Sequence, residues 1–207
     1  MIKADYEKAK SLAEAAVQKN KNDLYAKTML GNALMYIAKK QIDSGSKLGA
    51  GNTLKKSTKI MKEILAVDPN NPDVYFAMGM FNYFAANVPS GFKWLASLLG
   101  FRGNEALGIQ YIKKAASMKS LSQGDALYML YYIYGRKEDI YPTGYQYAKK
   151  LYSRYPANQI FLFDLAEMDL RTKRYEDSRK HFTKYFEYCE VKRPGRCDKD
   201  HLYRAYF

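Results

Sequence analysis

The chain has 207 residues, of which 47% are hydrophobic and 27% are charged, so it can bury a core and is not of the disordered class. Its 34 Lys and Arg against 21 Asp and Glu give a formal net charge of +13, which favours an acidic partner. The sequence contains neither a run of about 20 apolar residues nor a signal peptide, so no transmembrane helix is expected.

Hydrophobic periodicity and turn residues predict an all-α chain of helices. In chain order the helices are expected near residues 5–19, 22–40, 52–67, 72–87, 104–118, 122–135, 142–154, 158–172 and 175–190. Residues 42–51, rich in Gly and Ser, are predicted to be a flexible loop. The helices at both ends look like parts of incomplete hairpins, which predicts a single repeat domain over residues 1–207 cut from a longer protein.

Two local patterns identify the kind of repeat. Asp68-Pro69-Asn70-Asn71-Pro72 ends one helix and starts the next, because Pro cannot continue a helix but suits its first turn. Small residues recur where the two helices of each hairpin are expected to touch, although Tyr131 fills that position in the third repeat. These positions are Gly31, Gly79 and Ala166 on first helices and Ala9, Ser57, Gly108, Gly144 and Ser178 on second helices.

These patterns resemble the tetratricopeptide repeat family, which implies an α-α superhelix of stacked helix hairpins that holds another protein. An apolar insert at residues 88–103, flanked by a tyrosine-rich helix and by Gly108-Ile109-Gln110-Tyr111, is similar to bacterial tetratricopeptide proteins of unassigned function. A more distant similarity is to a eukaryotic mitochondrial outer-membrane tetratricopeptide family linked to inclusion-body clearance. The resemblance implies a scaffold without catalysis.

The first helices of such a stack line its concave face, so outward-facing residues there are the predicted partner-binding site. Tyrosine suits this role because it provides contact area at low entropy cost and can form hydrogen bonds. The predicted groove residues are Tyr25, Asn32, Tyr36, Phe76, Met80, Tyr83, Tyr128, Tyr132, Phe163 and Glu167. The alternative is that individual side chains of this set pack between adjacent repeats and do not contact a partner.

The apolar insert has two interpretations. It either covers the end of a hairpin or exposes Trp94 and Leu98 to a membrane or partner, since large apolar patches rarely stay wet. The second interpretation gives the alternative function, a membrane-peripheral or ligand-holding envelope component.

Cys189 and Cys197 flank a short basic segment with a Pro-Gly turn and form a candidate disulfide. A disulfide would favour a periplasmic or envelope location over the cytoplasm. With only two histidines and no compact ligand spacing, neither a metal site nor a catalytic triad is predicted, and no cofactor is expected. Nucleic acid is the runner-up partner, disfavoured because basic residues do not concentrate on the helices that carry the aromatics.

Overall fold

The structure, a computed structural model, describes residues 2–87 and 103–189. Within these two ranges all regular secondary structure is helical, and the helices pack as sequential hairpins, which confirms the predicted fold class. The α-helices are α1 (Ile2–Lys19), α2 (Leu24–Asp43), α3 (Lys47–Val67), α4 (Pro72–Ala86), α5 (Glu105–Ser117), α6 (Gln123–Tyr131), α7 (Tyr141–Arg154), α8 (Gln159–Arg171) and α9 (Tyr175–Glu187). A π-helix, Tyr132–Lys137, continues directly from α6.

The chain forms two compact units, Met1–Gln123 and Gly124–Phe207. In the first unit α2 packs on α1 and α3, and α4 packs on α5. In the second unit α8 packs on both α7 and α9, and α7 also packs on the π-helix. The prediction that residues 1–207 are one repeat domain stays a prediction.

Side-chain caps explain where four of the helices begin. Asp23, Asn71, Asn104 and Asn158 each accept a hydrogen bond from a backbone N–H in the first turn of the helix that follows, at 2.9 to 3.2 Å. Such caps satisfy amide groups that have no partner inside the helix. The predicted turn between α3 and α4 is confirmed, with Pro72 as the first residue of α4.

Small residues lie where the helices of three hairpins meet, as predicted. The hydroxyl of Ser57 donates to the Gly31 carbonyl oxygen at 2.8 Å, joining α3 to α2. The hydroxyl of Ser178 donates to the Ala166 carbonyl oxygen at 2.9 Å and joins α9 to α8 in the same way. Between α4 and α5 the contact is backbone to backbone, because a Cβ on Gly108 would lie 2.9 Å from the Gly79 carbonyl oxygen.

The predicted flexible loop at residues 42–51 is wrong. Only Ser44, Gly45 and Ser46 separate α2 from α3, and Gly45 has a φ of +81°, which glycine adopts without a steric penalty. The backbone N–H of Ser46 donates to the Gln41 carbonyl oxygen at 2.8 Å and closes the end of α2. The small residues that suggested a loop belong to the first turns of α3, where Ala50 is buried.

The third hairpin departs from the predicted register because of the π-helix. Gly144 of α7 meets Gly135 rather than Tyr131, since a Cβ on Gly144 would lie 2.6 Å from the Gly135 Cα. Gly135 lies four residues after the predicted contact position, about one helical turn. The shift leaves room for the large ring of Tyr131, which is fully buried.

Candidate functional site

The groove residues predicted in the first unit differ in exposure. Tyr25 and Tyr36 are exposed, and the ring of Tyr36 stacks on that of Tyr6 with centroids 4.9 Å apart. Asn32, Phe76 and Met80 are half-buried. These residues stay predicted contact positions.

Tyr83 and Phe163 do not lie on an accessible surface, which corrects their predicted role as anchors. Each is only 1% exposed. Tyr83 lies at the crossing of α4 and α5, where its backbone nitrogen would be 2.6 Å from a Cβ on Gly108. Phe163 packs against Phe182 and Tyr185 of α9, with ring centroids 5.6 and 5.3 Å away. Both side chains build the helix contacts, the alternative that repeat packing allows.

In the second unit the predicted residue Glu167 belongs to a charged network, and Tyr128 lies close enough to experience the charges of Asp164 and Arg136. Tyr132 follows Tyr128 by about one helical turn. Tyr128 and Tyr132 are 39% and 41% exposed. One guanidinium nitrogen of Arg136, Nη2, donates to the Asp164 Oδ1 at 2.8 Å and to the Glu167 Oε2 at 2.7 Å. We call these five residues the carboxylate–tyrosine site.

Tyr131 connects this network to the core of the second unit. Its hydroxyl donates to the Asp164 Oδ1 at 2.8 Å and accepts from the Arg136 Nε at 2.7 Å. The Arg136 side chain is therefore fixed at two of its nitrogens. Because charge-assisted hydrogen bonds are stronger and more directional than neutral ones, this arrangement holds Glu167 in one position.

The π-helix allows Tyr131 and Arg136 to meet. In a regular α-helix with 3.6 residues per turn, residues five apart project about 140° from each other. The wider π-helical turn, marked by the hydrogen bond from Glu138 N–H to the Ile133 carbonyl oxygen at 2.9 Å, brings such residues closer together. The Arg136 Nε consequently reaches the hydroxyl of Tyr131, five residues earlier.

Asp164 and Asp169 are acidic residues of α8 whose side chains are buried. Asp164 is 2% exposed, and Asp169 is also buried, with its Oδ2 2.7 Å from the His181 Nδ1. The Asp164 carboxylate lies within the apolar run Leu162-Phe163-Asp164-Leu165-Ala166. An acidic residue within such a run is the one sequence signal for burial, and no sequence pattern connects it to Arg136.

The buried charge also shapes the electrostatics of the site. Burial raises the pKa of Asp164 above its ordinary value, although Arg136 and the Tyr131 hydroxyl act in the opposite direction. The pKa of Tyr128 is raised by burial and then by the negative charge of Asp164, more than Arg136 lowers it. Burial and Asp164 likewise raise the pKa of Tyr131. Burial, and after it the charge of Asp164, therefore favours the protonated form of the Tyr128 hydroxyl.

An aromatic cluster supports Tyr128 from the opposite side. Its ring centroid lies 5.9 Å from that of Phe161, which lies 5.8 Å from that of Tyr155. These contacts join α6 to the first turns of α8. They limit the freedom of the Tyr128 ring while leaving part of it open.

A cavity of about 480 Å³ lies between α1, α2 and α3 of the first unit. Leu30, Leu34 and Ile37 form part of its apolar floor. Its rim carries Lys10 and Glu14, which pair with each other at 3.6 Å. Three lysines and three glutamates line the cavity, so its lining favours neither sign of charge.

The remaining predictions concern the disulfide and the apolar insert. Cys189 is disulfide-bonded, while Cys197 lies outside the described residues. Trp94 and Leu98 also lie outside them, so the contact predicted for the insert stays a prediction. Within residues 2–87 and 103–189, no helix is both long and apolar enough to cross a membrane. The same ranges contain no group of three or more potential metal-binding side chains.

Comparison with known proteins places this architecture in a family. The model of the Iml2/Tetratricopeptide repeat protein 39 family matches residues 4–193. Among solved structures, the chain is similar to the crystal structure of yeast Tom70, with a TM-score of 0.51 and 18% identity over 87% of this chain. It spans 31% of that Tom70 chain, so this likeness concerns the fold alone. No curated protein matches the sequence. The chain is a tetratricopeptide-like repeat protein and belongs to the Iml2/Tetratricopeptide repeat protein 39 family.

Proposed function

We propose that the chain binds another protein through the carboxylate–tyrosine site of its second unit. One observation carries this proposal: a partly buried ion-pair network fixes Glu167 in the same unit as two tyrosines that remain about 40% exposed. The fold supports it, since tetratricopeptide-like hairpins commonly present a surface to a partner.

The network makes this surface rigid before a partner arrives. Arg136 is held by Tyr131 and Asp164, and it in turn holds Glu167. A contact group that is already ordered loses little side-chain entropy on binding, which improves affinity. Tyr128 and Tyr132 add aromatic area of the kind that is enriched in the energetically dominant parts of protein interfaces.

The proposal is for binding without catalysis. Both carboxylates of the site accept hydrogen bonds from Arg136. They are therefore engaged in an ion pair and are not placed as the acid and the base of a reaction. Burial and the charge of Asp164 also raise the pKa of Tyr131, whose hydroxyl donates a hydrogen bond to Asp164. The groups of this site are therefore suited to recognition.

A quantitative pull-down from the source cells tests the proposal. The baits are the unchanged chain, the double variant Tyr128→Ala, Tyr132→Ala, and the control Tyr175→Ala, which removes an exposed tyrosine of α9 outside the site. We expect a partner that is retained by the chain and the control but depleted about tenfold or more with the double variant. Equal recovery with all three baits would contradict the proposal, provided that circular dichroism shows each bait to be folded.

We also propose that the protein works in an oxidising compartment such as the bacterial envelope. The disulfide at Cys189 supports this, because such bonds seldom persist in a reducing cytosol. The alternative function as a membrane-peripheral component through Trp94 and Leu98 stays a prediction, testable by titrating the chain with anionic vesicles and following Trp94 fluorescence.

A further inference from the structure

We propose that the carboxylate–tyrosine site receives a cationic side chain, a lysine or arginine of the partner protein, between Tyr128 and Tyr132 and onto Glu167. This inference rests on the proposed function and specifies the chemistry of the group that the site recognises. It runs against the charge of the whole chain, which at +13 would by itself favour an acidic partner.

The ion-pair network by itself is negative, whereas the whole chain is positive. Asp164 and Glu167 contribute two negative charges and Arg136 one positive charge, so the ionised network carries a net charge of −1. Arg136 engages only the Oε2 of Glu167, and Glu167 makes no other hydrogen bond within residues 2–87 and 103–189. Its second carboxylate oxygen therefore remains able to accept a hydrogen bond from a partner's ammonium or guanidinium group.

A second observation indicates that the site has unused negative charge. The Asp164 Oδ2 is buried and has no hydrogen-bond partner among the described residues, although the Oδ1 accepts two hydrogen bonds. This carboxylate is linked to the more exposed Glu167 through Arg136, whose Nη2 donates to both side chains. A cation placed between the tyrosines would be attracted by the negative charges of these carboxylates.

The two tyrosines are open to a cation. Elsewhere in the chain, basic groups lie over the faces of tyrosine rings. The Lys114 Nζ lies 4.0 Å from the ring centroid of Tyr75, and the Arg174 Cζ lies 4.4 Å from that of Tyr145. Within the described parts of the chain no cation lies over the ring of Tyr128 or Tyr132. Aromatic faces beside a carboxylate are a favourable setting for an ammonium or guanidinium group.

Selection from a phage-displayed library of random peptides tests this inference on the full chain. The selection is run in about 0.3 M NaCl, which screens the dispersed surface lysines more strongly than a partly buried pair. Parallel selections use Tyr132→Ala and two variants with the same loss of charge: Glu167→Gln, and the control Glu187→Gln on the exposed end of α9. Gln at position 167 keeps an acceptor for Arg136, so the network can stay assembled.

We expect peptides that bind in a Tyr132-dependent way and share a lysine or arginine at one position. A synthetic copy of such a peptide should bind Glu167→Gln about fivefold to tenfold more weakly than the unchanged chain, as should a copy with that basic residue replaced by norleucine. The Glu187→Gln control should bind the original peptide with unchanged affinity.

The other outcomes separate the two proposals. Tyr132-dependent peptides without a shared basic residue, or with a shared acidic one, would overturn the cationic inference and leave the proposed protein-binding function standing. A library that yields no Tyr132-dependent peptide would overturn both. Equal weakening by Glu167→Gln and Glu187→Gln would show a general charge effect and would also overturn the inference.

Discussion

At the scale of single residues, Asp164 and Arg136 decide whether the site exists. Asp164 is buried, and its Oδ1 accepts hydrogen bonds from Arg136 and Tyr131. Burying a charge without a partner is far more costly than burying a neutral polar group of the same shape. Removing the charge of Arg136 should therefore change the free energy of unfolding by a different amount from removing the charge of Asp164.

We predict that Arg136→Ala destabilises the protein by about 3 to 5 kcal/mol, because it leaves the Asp164 carboxylate buried and without its ion-pair partner. Asp164→Asn should be destabilising by only about 1 to 2 kcal/mol, since it removes the buried charge together with its desolvation penalty. Urea denaturation at neutral pH measures both values. Equal losses, or a larger loss for Asp164→Asn, would contradict this account of the network.

The same residues predict a pH dependence with a definite sign. Burial raises the pKa of folded Asp164 above its ordinary 3.8, so its protonation favours the folded state. That contribution is complete below the unfolded pKa and is lost as the pH rises through the raised folded pKa. Arg136→Ala also removes a group that lowers this pKa. The destabilisation by Arg136→Ala should therefore shrink as the pH falls from about 8 to about 5.

The double variant Arg136→Ala, Asp164→Asn is the control for this pH series. It lacks the titrating carboxylate while keeping the other acidic and histidine side chains. Its unfolding free energy relative to the unchanged chain should vary less with pH than that of Arg136→Ala. Parallel curves for the two variants would assign the pH dependence to other groups.

The residue scale is also where sequence reasoning was weakest. Tyr128, Tyr132 and Glu167 were predicted from their helix positions, and their role in binding a partner stays a prediction. Tyr83 and Phe163 were predicted from the same kind of helix position but are buried. The packing of the neighbouring helix, and not the residue type, decides whether an aromatic ring is exposed to solvent. Arg136 was missed because its ion pair with Asp164 joins residues 28 positions apart.

At the scale of helices, the hairpin contacts were predictable because they depend on local residue size. A large side chain cannot lie where two backbones approach, so Gly79, Gly108 and Ser178 mark these contacts in the sequence itself. The predicted loop at residues 42–51 failed for a related reason: glycine and alanine serve close helix packing as well as turns. The π-helix was not predictable, since no residue pattern within Tyr132–Lys137 distinguishes it from a continuation of α6.

Gly108→Ala tests these close contacts. The added Cβ would lie 2.6 Å from the backbone nitrogen of Tyr83 and 2.9 Å from the Gly79 carbonyl oxygen, so α4 and α5 must move apart. We expect a destabilisation of about 1 to 3 kcal/mol, despite the higher helix propensity of alanine. Thermal or urea unfolding followed by circular dichroism gives the value.

Gly49→Ala is the matched control for this substitution. Gly49 also lies in a helix, but the atom nearest to its added Cβ is the Ser46 hydroxyl, at the end of a side chain that can rotate. This variant should be as stable as the unchanged chain or more stable, by up to about 1 kcal/mol. A Gly108→Ala variant as stable as Gly49→Ala would show that the backbones do not meet at Gly108.

At the scale of the whole molecule, the family assignment and the composition describe a basic tetratricopeptide-like repeat protein whose second unit carries a locally acidic site. The net charge of +13 can accelerate approach to an acidic partner surface, while the −1 network selects a basic side chain at the point of contact. The long-range attraction can be predicted from the composition of the sequence. The preference for a basic side chain cannot, because composition averages the charge over all surfaces.

The disulfide gives a prediction for the intact protein. The sequence contains two cysteines, and Cys189 is bonded. Protein purified without reductant, denatured and treated with iodoacetamide should therefore show no added mass, whereas prior reduction should allow two additions. Two additions without reduction would contradict both the disulfide and the proposed oxidising compartment.

The central claim is that Tyr132 contacts a partner protein, and site-specific photocrosslinking in the source cells tests it most directly. The photoreactive residue p-benzoylphenylalanine replaces Tyr132 in one variant and Tyr175, a more exposed control tyrosine on α9, in another. We predict that irradiation gives a discrete adduct of higher mass from position 132 and none from position 175. The absence of an adduct at position 132, or the same adducts from both positions, would contradict the claim.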